Sequence, residues 1–488
     1  MDDKYKLSRR QFIRQAGTLG LAFTGTARGM GSRVNLERKT SRPNFVFILT
    51  DDQAHDAIGL SKRYPFLKTP NMDKLAQEGA WFENAFVTTS LCSPSRACFM
   101  TGCYAHRNKV IINAQDDPEP SVPLVSEVLR ANGYQTAFIG KWHMEKHAQP
   151  RRGFDYWLSF KGQGEYTDPQ LNENGRSFTE KGYITDILTD YACRWLSRPR
   201  SKPFCLFVWH KAVHSPFTPA PRHSLLYPDL QLEEPPNFKD DYKGKPRWLR
   251  RGLLYGLRKK EWQQSGDKAI PQTVPPGKWN PKNARFIDYF RDLSAVDESI
   301  GTITNTLKTV KQLDNTAVIF AGDNGFMMRA HQSRIDKRVM WEESIRIPLI
   351  IRYPKLVKAG SRIREMVLNI DVAPTMLDLA GVDIAGTMQG VSFAPLLAGR
   401  QVPWRDCFLY EYFQEKDFAP GIVTMHGVRT QRYKYIHYPE LKDDIDELYD
   451  LANDPLEMNN LFDQNGHKKL LKKMQQRLKK LKKQYGLK

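Results

Sequence analysis

The sequence lacks any run of about 18 apolar residues, which excludes a conventional membrane-spanning helix. Cysteine is also scarce, and its six residues form no Cys-x-x-Cys pair, so a disulfide-rich scaffold is excluded. Acidic residues are outnumbered by basic ones, 54 to 74, which gives a formal net charge of +20. No recognisable nucleic-acid-binding module accompanies this charge, so we expect no nucleic-acid partner.

Much of the positive charge lies near the C-terminus, where residues 464–488 hold nine lysines, one arginine and no acid. Apolar side chains recur there at steps of three and four, at Leu471, Met474, Leu478, Leu481 and Tyr485. This spacing predicts an amphipathic helix with a basic outer face. Such a face either contacts only solvent, which is our default interpretation, or attracts a polyanion.

The first 30 residues are interpreted as a targeting segment rather than as part of the fold. Residues 8–13, Ser-Arg-Arg-Gln-Phe-Ile, precede a weakly apolar stretch from Ala16 to Ala27. Paired arginines before a short apolar core resemble a bacterial twin-arginine export signal, and a disordered basic tail is the alternative. We therefore expect a twin-arginine-type signal peptide over residues 1–30 and a periplasmic or otherwise exported protein.

The rest of the chain alternates apolar strand patterns with helical ones, which predicts an α/β sheet covered on both faces. The predicted strands are Asn44–Thr50, Thr136–Gly140, Phe204–Trp209, Thr316–Ala321 and Pro348–Arg352. The predicted helices are Met72–Gly79, Leu124–Asn132, Asp186–Leu196 and Asp288–Val310. After about residue 400 short strands joined by turns predict a small antiparallel α+β domain, at Asp406–Tyr412, Gly427–Thr430 and Tyr433–Tyr438.

Four of these strands end directly before ionisable or metal-binding side chains. In open α/β sheets ligands bind beyond the carboxyl ends of the strands, so side chains from distant segments can meet there. We therefore expect one site formed by Asp51, Asp52, Lys141, His143, His214, Asp323 and Asn324.

The two acidic pairs, Asp51-Asp52 and Asp323-Asn324, carry only oxygen donors of the hard type. Three carboxylates that meet without a cation would repel one another strongly. An all-oxygen set favours Ca²⁺ or Mg²⁺ over zinc. Each pair alone could instead cap a helix or form a turn, but two pairs at the ends of buried strands favour a metal site.

The most specific motif is Cys92-Ser-Pro-Ser-Arg96, followed by Thr101-Gly102. It places Pro94 near the start of a predicted helix, where proline is tolerated. The motif resembles the signature of the formylglycine-dependent (type I) sulfatase family, about 40 residues after the first acidic pair. Further blocks similar to that family are Gly140–His143, His214–Phe217, Gly322–Gly325, Asp336–Arg338, Glu343–Pro348 and Glu447–Asp450.

The resemblance implies the alkaline phosphatase superfamily fold, with a large mixed sheet between helices and a smaller C-terminal α+β domain. We assign a catalytic domain to residues 42–400 and the small domain to residues 401–488. It also implies that a formylglycine-generating enzyme oxidises Cys92 to formylglycine. The hydrated aldehyde would use one oxygen as a metal ligand and nucleophile towards sulfur. The implied metal ligands are Asp51, Asp52, Cys92, Asp323 and Asn324, with Ca²⁺ expected ahead of Mg²⁺.

The resemblance also implies roles for the other matching positions. Lys141 and Lys337 would bind the sulfuryl oxygens, and His214 would protonate the leaving alcohol. Arg96 would hold the formylglycine hydrate, and His143 would orient it and help to eliminate sulfate from the covalent intermediate.

The expected substrate is a sulfated carbohydrate: a glycosaminoglycan, mucin or other polysaccharide fragment. The chain is most similar to the N-acetylglucosamine-6-sulfatase-like group through residues 160–166, 171–172, 182–189 and 335–338. It departs from many relatives at residues 327–332, so we expect His331 to contact the sugar. Residues 222–282 form a long irregular insertion, and its basic residues at 243–260 fit a polyanionic substrate. The alternatives are a phosphonate monoester or phosphodiester hydrolase on the same scaffold, and a non-catalytic binder of sulfated glycans.

Overall fold

The apolar runs of the sequence become the central strands of a large sheet in a computed structural model of the chain. The structure describes residues 42–113, 117–250, 273, 277–333, 335–417, 419 and 421–488. The predicted signal segment lies outside these residues, as does much of the second half of the insertion at residues 222–282. Among the described helices, none has the length and apolar character needed to cross a bilayer.

The strands form one large sheet and two small ones. They are β1 (Asn44–Thr50), β2 (Ala80–Phe82), β3 (Ala85–Phe86), β4 (Gln135–Gly140), β5 (Tyr156–Ser159), β6 (Gln170–Glu173), β7 (Arg176–Thr179), β8 (Phe204–Trp209), β9 (Thr316–Gly322), β10 (Leu349–Arg352), β11 (Ser361–Ile363), β12 (Val367–Leu368), β13 (Cys407–Tyr412), β14 (Met425–Thr430), β15 (Tyr433–His437) and β16 (Glu447–Asp450). The large sheet has the order β11-β2-β10-β9-β1-β8-β4-β5-β6-β7.

The middle of this sheet is parallel, because β9, β1, β8 and β4 run in one direction. Strand β10 pairs antiparallel with β9, and β6 pairs antiparallel with β5, so the whole sheet is mixed. Every residue of β1, β8 and β9 is buried, as expected for strands with helices on both faces.

Helices cover the sheet and connect its strands. The described α-helices are α1 (Pro70–Gln77), α2 (Cys92–Thr101), α3 (Ala105–Asn108), α4 (Val125–Ala131), α5 (Ile184–Leu196), α6 (Ala284–Thr309), α7 (Glu342–Ile345), α8 (Val372–Leu379), α9 (Ala394–Leu397) and α10 (Lys468–Tyr485). The longest, α6, packs on α5 and α1 over one face of the sheet. Helix α2 is different, because all ten of its residues are buried.

The C-terminal part contains the predicted antiparallel sheet, in the order β13-β14-β15-β16. Helix α10 packs on this sheet through Met474, Leu478 and Leu481, which confirms the predicted amphipathic pattern. The α/β fold class and the small C-terminal sheet are therefore confirmed. The boundaries at residues 42–400 and 401–488 stay predictions, since the described residues belong to one compact unit.

The close pairing of β4 with β8 depends on Gly140, the last residue of β4. Its φ is +124°, and a Cβ there would lie 2.0 Å from the carbonyl oxygen of Trp209. A side chain would therefore push β4 away from β8 and displace Lys141, which follows directly.

We expect Gly140→Ala to reduce the free energy of unfolding by about 1–3 kcal/mol more than Gly133→Ala, measured by chemical denaturation. Gly133 is the matched control, because its φ is +89° but, among the described residues beyond its chain neighbours, no atom lies within 4 Å of the added Cβ. Equal losses for the two variants would mean that the contact with β8 does not constrain this position.

Candidate active site

Side chains from four neighbouring strands meet at the carboxyl edge of the sheet. Backbone hydrogen bonds between neighbouring segments continue past the strand ends and fix the positions from which these side chains project. The Asp323 amide donates to the Thr50 carbonyl (2.9 Å), and the Asp51 amide donates to Ala212 (3.0 Å). The Lys141 amide donates to Trp209 (2.8 Å). Residues 51, 141 and 323 are therefore placed side by side although the chain separates them widely.

The structure brings four possible metal ligands together at this edge. One ligand atom from each of Asp51, Asp52, Cys92 and Asp323 lies within 4.8 Å of the others, and all four residues are buried. Cys92 is the first residue of α2, and its side chain contacts Asp51. We call these four residues the acidic cluster.

The thiol of Cys92 contacts both an acid and a base. Its Sγ lies 3.3 Å from Asp51 Oδ1 and 2.8 Å from Lys337 Nζ. Burial and the neighbouring Asp51 carboxylate raise the pKa of Cys92 well above that of a free cysteine. The unmodified thiol is therefore a poor nucleophile here, although its position between a carboxylate and an ammonium suits an oxygen nucleophile.

Three buried cations surround the acidic cluster. Lys141 hydrogen-bonds to Asp51, and Lys337 hydrogen-bonds to Asp52. Arg96 lies one turn after Cys92 on α2, with Nε 2.9 Å from Asp323 Oδ2 and Nη2 3.3 Å from Asp51 Oδ2.

These contacts explain the protonation state of Asp51. Burial alone would raise the pKa of Asp51, but Lys141, His214, Arg96 and Lys337 together hold it well below its usual range. The three carboxyl groups of the acidic cluster are therefore matched in number by the three cations in contact with them, before any substrate or metal charge is counted.

The remaining donor atoms fit a hard divalent cation. Asn324 donates through Nδ2 to Asp52 Oδ1 (2.7 Å) and to the Gly325 carbonyl, while its buried Oδ1 has no hydrogen-bond partner among the described residues. Burial and the adjacent Asp51 carboxylate raise the pKa of Asp323 to about 7, as expected for acids held close together. A Ca²⁺ ion would relieve that repulsion and would supply the partner that Asn324 Oδ1 lacks.

Two of the three predicted histidines lie beside the cluster. His214 Nε2 is 3.7 Å from Asp52 Oδ2, and its Nδ1 hydrogen-bonds to the Ser215 carbonyl (2.6 Å). Burial lowers the pKa of His214 to about 4. His143 has a positive φ of 63°, and its carbonyl accepts a hydrogen bond from Ser93, next to Cys92. Its buried Nδ1 has no partner in the part of the chain that the structure describes.

His331 lies elsewhere in the structure. Its side chain is fully buried, with Nδ1 2.6 Å from Asp240 Oδ2 and Nε2 3.0 Å from Asn237 Nδ2. Asn237 lines a cavity of about 350 Å³ that also contains Ala54 and Phe326, shortly after the two acidic pairs. His331 thus contacts a residue of the cavity wall, and its predicted contact with a sugar stays a prediction.

Two residues near Lys141 and His214 were not identified from the sequence as site residues. Gln163 accepts a hydrogen bond from Lys141 through its side chain. Tyr166 donates to the His214 carbonyl and contacts Asp292 Oδ2, both at 2.6 Å. Both belong to residues 160–166, which the sequence marked only as a block of family resemblance.

A further group of unpredicted contacts comes from the C-terminal part of the chain. Glu415 Oε2 accepts a hydrogen bond from Arg338 Nε (2.7 Å), and Glu415 Oε1 accepts one from the Asn113 amide (3.3 Å). Asn113 Oδ1 in turn accepts from the Ser93 amide (3.0 Å). Glu415 therefore contacts both loops that flank Cys92.

Arg338 is held at its backbone as well. Its φ of +87° is unfavourable for a residue with a side chain, and its carbonyl accepts a hydrogen bond from Tyr410 (2.6 Å). Because Arg338 follows Lys337 directly, Tyr410 and Glu415 stabilise the turn that brings Lys337 to Cys92.

Comparison with known proteins identifies the family of this chain. The sulfatase family matches residues 43–382, and the C-terminal family of N-sulphoglucosamine sulphohydrolase matches residues 331–484. An N-acetylglucosamine-6-O-sulfatase of Bacteroides thetaiotaomicron is 36% identical, over 92% of this chain and 88% of that protein.

Solved structures also resemble this chain. One, described as a complex with its substrate D-glucosamine-2-N,6-O-disulfate, superimposes with a TM-score of 0.80 at 34% identity, over 91% of this chain and 98% of that one. A phosphonate monoester hydrolase of Agrobacterium radiobacter superimposes with a TM-score of 0.72 at 21% identity, over 91% of this chain and 96% of that one, which shows a shared fold alone. The chain belongs to the sulfatase family and is a sulfuric ester hydrolase with an alkaline-phosphatase-like fold.

Proposed function

We propose that this enzyme hydrolyses sulfate esters on a carbohydrate, using a formylglycine made from Cys92 and a bound Ca²⁺ ion. The observation that carries the proposal is the convergence of Asp51, Asp52, Cys92 and Asp323 within one buried cluster. The names of the relatives support an aminosugar sulfate of the glycosaminoglycan type as the substrate.

The acidic cluster and Asn324 would hold the ion. When bound, Ca²⁺ supplies positive charge that activates the nucleophile and attracts the sulfuryl group. Sγ of Cys92 stands where the oxygens of a formylglycine hydrate would be. Arg96 is fixed by Asp51 and Asp323, so its guanidinium can orient the modified residue 92, and its charge favours the ionised form of both acids.

The charge balance of the site favours a sulfate monoester. The three carboxylates and the three cations Arg96, Lys141 and Lys337 cancel, so a divalent ion leaves a net charge of about +2. A sulfate ester brings one negative charge, which this site attracts. Lys141 and Lys337 are the cations able to turn from the acids towards the sulfuryl oxygens, because each is a flexible ammonium beside the cluster.

His214 is proposed as the acid that protonates the leaving alcohol. Only an N–H can hydrogen-bond to the Ser215 carbonyl, so neutral His214 carries its proton on Nδ1 and presents an unprotonated Nε2 towards Asp52. The acid form is therefore the imidazolium. A bound sulfate anion raises the pKa of His214 from its low resting value, and the reaction then becomes slower as pH rises through that raised pKa.

We also propose export by the twin-arginine pathway, from residues 8–13, and maturation by a formylglycine-generating enzyme. The modification is the part of the proposal that mass spectrometry tests directly.

The tryptic peptide 75–96 contains Cys92 as its single cysteine, and peptide 97–107 contains Cys98 and Cys103. In protein produced together with the modifying enzyme, we expect the first peptide to be about 18 Da lighter than its sequence mass and the second to be unchanged. An unmodified Cys92 in a preparation with full activity would contradict the proposed nucleophile.

Chelation should abolish hydrolysis, and Ca²⁺ should restore it. Ca²⁺ at one hundred times its dissociation constant should also stabilise the chelated protein by about 2.7 kcal/mol, which thermal unfolding measures without any substrate. Asn324→Ala should weaken this stabilisation, whereas Asn305→Ala, an exposed residue of α6, should not. Full activity in the presence of excess chelator would exclude the metal from the reaction.

His214→Ala should affect poor leaving groups most, because they need a proton in the transition state. We expect turnover of a sugar 6-sulfate to fall by about 10²–10⁴, and turnover of an activated aryl sulfate to fall much less. His437→Ala, on β15 of the four-stranded C-terminal sheet, is the matched control. An equal loss with both substrates would rule out His214 as the acid, and faster turnover of an aryl phosphodiester than of the aryl sulfate would favour the phosphorus alternative.

A further inference from the structure

A basic groove of about 850 Å³ lies at the C-terminal end of α10, away from the acidic cluster. One wall follows α3 and contains Arg107 and Lys109, and another contains Lys483 and Lys488. Helix α2 begins at Cys92 and ends at Thr101, so it carries the chain about 15 Å from the nucleophile before this groove begins. The groove is therefore separate from the catalytic residues.

The lining of the groove is strongly cationic. Arg107, Lys109, Lys483 and Lys488 are exposed, and Glu440 is the one acid among the residues described as lining it. The outer face of α10 continues this charge along the helix, which contains no acidic residue. A concave surface lined by cations has a stronger positive electrostatic potential than scattered surface lysines, and it therefore attracts anions more strongly.

A buried imidazole among the residues that line the groove carries a donor without a partner. His426 lines the groove, is 5% exposed, and has its Nδ1 3.2 Å from Lys482 Nζ. The Lys482 ammonium is a donor, so Nδ1 accepts and Nε2 carries the hydrogen. That buried Nε2–H has no hydrogen-bond partner among the described residues. A buried donor without a partner is costly in a folded protein unless a ligand supplies the acceptor.

The groove also contains an aromatic ring suited to a sugar. Phe413 lines it, with its ring centroid 6.1 Å from that of His426. The carbonyl of Tyr485, at the end of α10, lies 2.9 Å from His106 Nε2 and accepts a hydrogen bond from Gln389 (3.0 Å). These contacts hold the two walls in place, so the cations and the ring form a fixed surface.

We propose that this groove is a second binding site, which holds an anionic segment of a sulfated polysaccharide at a distance from the catalytic residues. The cations would contact sulfate groups, the Nε2–H of His426 would donate to an oxygen, and Phe413 would pack against a sugar face. The choice of a sulfated polysaccharide over other polyanions rests on the proposed function.

Heparin binding across a range of salt concentrations tests the groove. The double variant Lys109→Glu/Lys483→Glu should bind heparin about tenfold more weakly or worse, with a shallower dependence of log K on log salt. The control Lys469→Glu/Lys473→Glu makes the same charge change on exposed residues of α10 outside the groove, and it should retain most of the affinity. Equal losses in the two variants would overturn the proposal, because net charge would then explain the binding.

Two further measurements separate this proposal from the catalytic one. The groove variant should keep the wild-type kcat/KM for a small aryl sulfate but show a higher KM for a sulfated polymer. Wild-type protein that binds heparin through the groove but hydrolyses no sulfate ester would refute the proposed function without contradicting the binding site.

Duplex DNA that competes with heparin equally at matched anion concentration would overturn the assignment to a sulfated polysaccharide. His426→Gln, which lacks the imidazole N–H but keeps a donor, should bind better than His426→Leu.

Discussion

Repulsion among three buried carboxylates is the constraint that organises this molecule. Asp51, Asp52 and Asp323 are each at most 3% exposed, so their repulsion is offset by neighbouring positive side chains, by a proton on one of the acids, or by a bound cation. Arg96 and Lys141, which are fully buried themselves, provide much of that charge. Removing one member would leave a buried charge without a partner, at a cost of several kcal/mol. Stability and the proposed catalysis therefore depend on the same contacts.

This arrangement explains why much of the site could be predicted from the sequence. Asp51, Lys141 and Asp323 each follow a buried apolar strand, and parallel strands end at the same edge of a sheet. The spacing of residues within the chain did not matter, because the sheet order β9-β1-β8-β4 places those strands side by side. Cys92 was recognisable for another reason, since its motif is specific in composition and lies at the start of a helix.

Other features had no comparable signal. Strands β6 and β7, with the sequences Gln-Leu-Asn-Glu and Arg-Ser-Phe-Thr, contain no apolar run and pair mainly through backbone contacts at the edge of the sheet. Glu415 follows β13 in an irregular segment, where no hydrophobic periodicity indicates the direction of a side chain. His331 was predicted to contact the sugar because residues 327–332 depart from the family pattern, but such a departure does not reveal the direction of a side chain, which here contacts Asp240. Orientation in loops depends on tertiary contacts that local sequence does not encode.

The contacts of Tyr410 and Glu415 with the turn at Arg338 have a consequence for biosynthesis. The ribosome completes Cys92 more than 300 residues before Glu415. During that interval, the segment that later encloses Cys92 has not yet been made, so the cysteine is open to other proteins. Once the small sheet has docked, Cys92 is fully buried. The proposed conversion of Cys92 to formylglycine would therefore take place before the C-terminal part folds, while the thiol is still accessible to an enzyme.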